Sequence, residues 1–311
     1  MTRSRLLIPL AIALLLCAAR RAHAQSPAEP AWQAAAGHKM SFDTISLKPA
    51  TPGKYGQPAF ALTAGDSYTD TGVLTGDFQL SVYIQFAWKL TLTVEQRETM
   101  LANLPSWVKT DRFTIEAHAS GHPTKDQMRL MMQSLLADRF KMTAHLETRQ
   151  QPIFALTVVT SGQIGKNLIP HSDGPPCDVE PPPLGIGMSG PGSWPKIWPL
   201  SCDGPAMLGG APSLLGFRNT TMELLAGSLA TLAGAGRPVV DRTGLSGRFD
   251  YRLEFTVPRP AAPTRADTAV GPNTAPTLQQ AIIDQLGLKL EPTEGPVEVL
   301  VVDHVEKPVT D

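Results

Sequence analysis

The chain has few cysteines, few aromatic residues and no cluster of basic residues. Of its 311 residues, three are cysteines and 6% are aromatic, and 27 basic residues are dispersed among 28 acidic ones. Three cysteines are too few for a small scaffold held together mainly by disulfides. Proteins that bind a nucleic-acid backbone concentrate Lys and Arg on one surface. The sequence therefore predicts no nucleic-acid partner.

The common catalytic motifs are also missing. The sequence contains no H-E-x-x-H zinc motif, no P-loop and no glycine-rich dinucleotide loop. Two near-matches to the G-x-S-x-G elbow, at 187–190 and 244–247, lack its final glycine. His118 and His122 have the spacing of two helical metal ligands, but they fall at a predicted strand end and in a loop. We therefore predict no catalytic residue, no cofactor and no metal site.

Residues 1–24 have the pattern of a signal peptide. Arg3 and Arg5 precede an apolar run at 6–19, and Ala22-His23-Ala24 matches an A-x-A cleavage site. The run is too short for a stable bilayer span. Cleavage would remove four arginines and no acidic residue, so that the net charge becomes (27 − 4) − 28 = −5. We expect an exported protein, periplasmic or secreted, with no membrane span after cleavage.

Two cysteines, Cys177 and Cys202, would remain in the mature chain. An isolated pair in an exported protein is more often a structural disulfide than a reactive dithiol or a metal site. Closing a loop of this length stabilises a fold by about 3 kcal/mol in the chain-entropy model. We predict a structural disulfide between them.

The stretch 249–255 alternates strictly between apolar and charged residues. Phe249, Tyr251, Leu253 and Phe255 would lie on one face of a strand, with the charged residues on the other. This alternation predicts an antiparallel strand with one buried face and one solvated face.

Several helices begin at predicted caps. A polar cap followed three residues later by Glu or Gln indicates a capping box, and a box is predicted at Thr93 with Gln96, Thr124 with Gln127, Thr220 with Glu223, and Thr277 with Gln280. Asp77 is predicted to cap a further helix. The helix after Thr124 has a stripe of three methionines and two leucines, which we interpret as core filler rather than as a binding groove or a set of soft-metal ligands.

The chain is predicted to contain one supersecondary unit twice. In each half a helix, a strand and a second helix precede a hairpin, formed by 140–146 with 153–159 and by 288–290 with 297–302, the latter turning at 294–296. Two copies explain this order better than two unrelated domains. The predicted fold class is α+β, with two pseudo-repeats and mostly antiparallel sheets.

Composition sets the predicted boundaries, because Pro- and Gly-rich stretches interrupt regular structure. We divide the chain into a signal peptide (1–24), a flexible lead-in (25–40), a first repeat (41–161), a disulfide-bridged linker rich in Pro and Gly (162–213), and a second repeat (214–311) with a Pro-rich loop (258–276).

Four residues are candidate ligand contacts. Trp194 and Trp198, among prolines in the linker, could stack on a sugar or grip a peptide, or could anchor the linker to the core. Arg237 and Arg242 could hold a carboxylate, or could pair with nearby aspartates.

Five stretches carry a resemblance to a known family: SFDTISLKPA (41–50), PSWVKTDRFTIEAHA (105–119), MMQSLLADRFKMTAHLETRQQPIFALTVV (131–159), RPVVDRTGLSGRFDYRLEF (237–255) and LQQAIIDQLGLKLEPTEGPVEVLVVDHVEKP (278–308). They resemble the soil-associated family of exported proteins, a domain of unknown function found in certain soil bacteria. The segment 89–104 looks longer and more helical than in the family. Relatives of the domain also look attached to membrane sensor metallopeptidases of the beta-lactam-receptor type. The resemblance implies an extracytoplasmic sensing or binding role and supplies no site residue.

Together these observations favour an exported, non-catalytic binding or interaction module of the cell envelope. Its partner would be a protein, a peptide or a glycan. The alternative is an envelope hydrolase with an unrecognised active site, which would show titratable side chains converging in a deep pocket.

Overall fold

Two α+β cores are joined by a ribbon of two long strands in the computed structural model of the chain. The structure describes residues 29–310 except 38, 54, 55, 67, 69, 175, 178–201, 203, 209–211, 234 and 257–274. The helices in these residues are α1 (Ala31–Ala36), α2 (Leu80–Ala87), α3 (Val94–Leu101), α4 (Trp107–Thr110), α5 (Lys125–Phe140), α6 (Met222–Thr231) and α7 (Leu278–Ala281), which continues into a π-helical turn (Ile282–Leu286). The strands are β1 (Thr44–Pro49), β2 (Val73–Gln79), β3 (Arg112–His118), β4 (Thr143–Val158), β5 (Leu168–Pro170), β6 (Pro205–Leu208), β7 (Ser213–Thr220), β8 (Val239–Asp241), β9 (Phe249–Phe255) and β10 (Leu288–His304).

The first core is built on an antiparallel sheet of order β1–β3–β2, with helices α2 and α5 in its apolar cluster. Strand β3 alternates as predicted, and Phe113, Ile115 and Ala117 are buried. Helix α5 begins at the predicted box of Thr124 and Gln127. Its methionine stripe is buried in this core, so the prediction of core filler is confirmed.

The second core is built on an antiparallel sheet of order β5–β9–β7–β6, with α6 and the π-helical turn in its apolar cluster. The four aromatic and leucine residues of β9 are buried as predicted. The charged face was predicted to be solvated, but Asp250 is only 7% exposed, so for this residue the prediction is wrong. Its carboxylate is buried because His171 and Arg218 lie against it.

The predicted hairpins are wrong. Strand β4 runs unbroken through the first predicted turn, β10 runs through the second, and the two strands pair antiparallel with each other. Gly295 sits at the middle of this ribbon because a Cβ there would lie 2.5 Å from the Cδ1 atom of Ile153. The glycine therefore serves close packing rather than a turn.

Each ribbon strand contributes to both cores. In β4, Leu146 packs against the first core and Leu156 lies in the second. In β10, Leu288 lies in the second core and Leu300 in the first. Strand β8 joins the ribbon as a parallel neighbour of β4. The ribbon therefore ties the two cores into one structure.

Two predicted helix caps are corrected by the structure. Asp77 lies in β2 and is ion-paired with Arg112, and α2 begins three residues later, after Gln79. Helix α6 is capped by Thr221 rather than Thr220, since the Thr221 hydroxyl accepts from the Leu224 amide. The box at Thr93 is confirmed.

The α+β class with mostly antiparallel sheets is confirmed. The duplication stays a prediction, and helix α1 lies within the segment predicted as a flexible lead-in. No helix in the described residues combines the length and the apolarity that crossing a bilayer requires.

Candidate functional site

A cleft lies where the two cores meet. Its larger cavity, of about 390 Å³, is lined from the first core by residues of 62–65, α2 and the segment after it, and from the second core by β7, α6 and neighbouring residues. The apolar side chains on its wall are Leu62, Ala64, Val82, Leu90, Leu92, Pro205, Phe217, Leu224 and Leu232. An apolar concavity between two structural units is a common setting for ligand binding.

A smaller cavity of about 240 Å³ adjoins it and shares Ala64, Thr91 and Leu224 with it. Here helix α6 passes close to the first core at Gly227, where a Cβ would lie 2.8 Å from the Cγ2 atom of Thr91. The absence of a side chain at Gly227 therefore allows the two cores to approach this closely.

Buried cations of α5 fix one wall of the cleft. Arg129 is fully buried and forms an ion pair with Asp126. Its Nη2 atom donates to the carbonyl oxygens of Thr63, Ala64 and Gly65, at 2.9, 3.1 and 2.9 Å. Three carbonyl groups of one loop thus converge on a single guanidinium, which holds this wall in place.

Lys125 adds a second buried cation to the same wall. Its Nζ atom donates to the carbonyl oxygen of Gly65 at 2.7 Å and lies 5.9 Å from the ring centroid of Phe60. Burial, together with the positive charge of Arg129, lowers the pKa of Lys125 to about 7. Burial therefore disfavours the charged ammonium form of Lys125 relative to the neutral amine.

Asp66 connects the two cores electrostatically. Its carboxylate accepts from Lys89 at 3.2 Å and from Arg248 of the second core at 2.7 Å, and Lys89 also reaches Asp126. Partial burial by itself raises the pKa of Asp66, but the hydrogen bonds from Arg248 and Lys89 outweigh it and lower the pKa overall. Asp66 is accordingly a fixed anion between cations.

Among the described residues, the charged side chains that line the two cavities are Asp66, Lys89, Arg97 and Glu223. Among the described residues that line the two cavities there is no histidine and no cysteine. Of the lining carboxylates, Asp66 is already bound by two cations, and Glu223 is exposed. The arrangement can hold an apolar group in the larger cavity beside charged residues on the rim.

Two of the predicted site residues, Arg237 and Arg242, line neither cavity. The guanidinium of Arg237 lies over the ring of Phe154, 5.5 Å from its centroid, and Arg242 is exposed beyond the end of β8. Asp241 accepts from Thr243 instead of pairing with either arginine. Trp194 and Trp198 lie outside the described residues.

Cys177 and Cys202 form the predicted disulfide. Lys89, which lines the smaller cavity, and Lys125 and Arg129, which bind the loop at its wall, were not identified from the sequence. A signal was present for two of them, since Lys125 and Arg129 are four residues apart on the same side of the helix as Met132 and Leu136. Charges on a buried helical face require partners and indicate a structured polar site.

Fold and cleft define an α+β protein with a cavity between two cores bridged by a strand ribbon. Residues 81–305 match the family described as a protein of unknown function (DUF3738). Because the match covers more than half of the chain, the protein belongs to this family. No curated protein and no solved structure matches the chain.

Proposed function

We propose that the protein is an exported, non-catalytic binding module of the cell envelope, and that its ligand occupies the cleft between the two cores. The cleft carries this proposal, because its apolar wall is contributed by both cores and is framed by fixed charges. The basic-then-apolar N-terminus and the disulfide support an extracytoplasmic location. The likeness to exported proteins of soil bacteria, some attached to sensor metallopeptidases, supports a sensing role.

The chemistry of the larger cavity favours a peptide with an apolar and an acidic side chain over a glycan. Sugars bind to polar and stacked aromatic groups, whereas Phe217 is the one aromatic residue among the described residues that line this cavity. Arg97 lies on the wall, and its guanidinium has no hydrogen-bond or ion-pair partner among the described residues. It is available to a carboxylate, while Leu224 and Leu232 would contact the apolar side chain.

A panel of short peptides tests the proposal. Each peptide would carry one large apolar residue next to an acidic, amide or basic residue, and binding to the mature protein would be measured by calorimetry. We expect the acidic peptides to bind most tightly. Arg97→Gln should weaken them about tenfold or more, since a charged hydrogen bond contributes about 1.5–3 kcal/mol, while Arg242→Gln, at another exposed arginine, should not.

A second pair of variants tests the apolar contact. Leu232→Asp introduces a charge at the cavity wall, whereas Val94→Asp introduces one at another exposed apolar position, outside the cavity lining. Binding should be lost in the first variant and kept in the second. Equal affinity for all peptides, or indifference to both cavity variants, would refute the assignment of the cleft. Cleavage of a bound peptide, detected by mass spectrometry, would favour the alternative of an envelope hydrolase.

A further inference from the structure

The disulfide has a histidine–aspartate pair at one of its sulfur atoms. His171, in the 3₁₀ turn that precedes Cys177, places its Nε2 atom 3.3 Å from the Sγ atom of Cys177. The other ring nitrogen, Nδ1, lies 2.6 Å from an Oδ1 atom of Asp250 on β9. The imidazole therefore lies between a carboxylate and the disulfide.

Asp250 is held firmly in this arrangement. Its Oδ1 atom also accepts from the Asn219 amide at 2.8 Å, and its Oδ2 atom lies 3.5 Å from Nε of Arg218. The backbone approaches so closely that a Cβ at Gly174 would lie 2.6 Å from Oδ2. Because Nδ1 faces an acceptor, it carries a hydrogen, and Nε2 is the nitrogen directed at the sulfur.

The disulfide is open to solvent at the same place. Cys177 is exposed, and Cys202 and His171 are half-buried. A disulfide with a purely structural role requires no ionisable group at its sulfur, and such bridges in exported proteins resist reduction. Thiol–disulfide exchange requires access, a group at one sulfur that can exchange a proton, and a carboxylate that orients that group, and all three are present here.

We propose that the Cys177–Cys202 bridge is a thiol-reactive disulfide, in which His171 carries the exchanged proton and Asp250 is a positioning residue. The co-reactant is a thiol or dithiol of the cell envelope. Its thiolate attacks Sγ of Cys202, a new S–S bond forms there, and the Cys177–Cys202 bond breaks. Nε2 of His171 accepts the proton that the attacking thiol gives up, and the ring becomes an imidazolium. The electron pair of the broken bond goes to Sγ of Cys177, which takes that proton from Nε2. The second thiol of a dithiol then displaces Cys202, which leaves two reduced cysteines and an oxidised dithiol.

The geometry assigns a direction to the attack. A thiol beside a protonated histidine has its pKa lowered from about 8.5 into the range of about 3.5–7.5, and the thiol of lower pKa leaves faster. Cys177 is thus the leaving group, and Cys202 is the sulfur that receives the incoming thiol. If the pKa of the leaving thiol falls by about two units, and the logarithm of the exchange rate changes by about one half for each unit, attack at Cys202 is favoured over attack at Cys177 about tenfold.

The proposal is tested by measuring which of the two cysteines receives the incoming thiol in the first exchange step. The oxidised protein is mixed briefly with glutathione in the presence of EDTA, quenched with iodoacetamide and mapped by mass spectrometry. We expect about ten times more glutathione on Cys202 than on Cys177. In His171→Gln the ratio should fall to within about twofold of unity. Because Asp250→Asn keeps the shape of the side chain but loses its charge, the ratio should fall there as well.

The matched control is His145→Gln, since His145 also binds an aspartate, Asp303, at 2.9 Å on the exposed ribbon. Its glutathione ratio should equal that of the unsubstituted protein. Far-UV circular dichroism checks the fold of each variant, and Asp250→Asn serves if His171→Gln does not fold. Equal labelling of both cysteines in the unsubstituted protein, a preference for Cys177, or an unchanged ratio in the folded variants would overturn the proposal. None of these results bears on peptide binding in the cleft.

Discussion

The buried ammonium group of Lys125 should make the stability of the protein depend on pH in a defined direction. We expect the unfolding free energy of the unsubstituted protein, relative to Lys125→Met, to rise between pH 7 and pH 9.5. The reason is that folding places this side chain, 4% exposed, beside Arg129 and lowers its pKa to about 7. In the unfolded chain a lysine has a pKa of about 10.4.

The sign follows from proton counts. Between these two pKa values the unfolded chain binds a proton at Lys125 that the folded protein largely lacks, so stability rises with pH across this window. Below the folded value both states are protonated, and the contribution of Lys125 no longer changes with pH. Each pH unit at full difference contributes about 1.4 kcal/mol. Because the folded protein is still half protonated near pH 7, the expected gain up to pH 9.5 is about 2 to 3 kcal/mol.

Urea denaturation of both proteins at several pH values measures this difference. Methionine keeps the length of the side chain and removes the titration, and contributions from other titrating groups cancel in the comparison. Lys48→Met, at an exposed position of β1, is the control and should give a difference that does not change with pH. A pH-independent difference for Lys125→Met as well, at constant m-values, would refute the explanation by burial.

Three further experiments test the buried polar contacts and the disulfide. Arg129→Met should lower the unfolding free energy by about 3 to 5 kcal/mol, because it leaves Asp126 and three carbonyl groups without the buried guanidinium. The control, Arg97→Met, should change it by less than about 0.5 kcal/mol. Similar losses in the two variants would show that the buried contacts of Arg129 do not stabilise the fold. Ser228→Ala should cost about 1 to 3 kcal/mol, since it removes the partner, 2.6 Å away, of the buried Tyr251 hydroxyl. Adding Tyr251→Phe should recover part of that loss in a double-mutant cycle, and strict additivity would argue against the hydrogen bond. Replacing Cys177 and Cys202 together with serine should lower stability by about 3 kcal/mol in denaturation experiments, and an unchanged midpoint would show that the bridge does not constrain the unfolded chain.

Local signals in the sequence predicted the helices and strands that depend on nearest neighbours. The boxes at Thr93 and Thr124 involve side chains only three residues apart, and the burial alternation of β3 follows from the period of a strand. These features are set by short-range sterics and hydrogen bonding, which a single sequence contains.

Strand β2 could not be predicted because its residues suit the position only in the folded protein. Its Gly76 is unfavourable in an isolated strand, but a Cβ there would lie 2.9 Å from the Tyr83 hydroxyl oxygen. Asp77 resembles a helix cap in sequence and is instead neutralised by Arg112 on β3. Tertiary contacts override local preference at both positions.

The cleft was beyond sequence reasoning for a related reason. Asp66 meets Arg248, which is 182 residues away in the chain, and the paired residues of β4 and β10 are 130 to 161 residues apart. Long-range pairing of this kind leaves no periodic signal, and the prolines and the glycine in the middle of the ribbon imitate turns. Only the spacing of Lys125 and Arg129 pointed to a polar site.

The crossing ribbon also determines how the chain can be divided. A fragment that ends before residue 178 retains the end of β4 that belongs to the second core, and lacks the end of β10 that completes the first. Neither fragment of a chain cut between 178 and 201 holds a complete set of interior residues, so each depends on complementation by the other. Exchange of one half between relatives therefore succeeds only when the strand ends that it donates fit the recipient's interior.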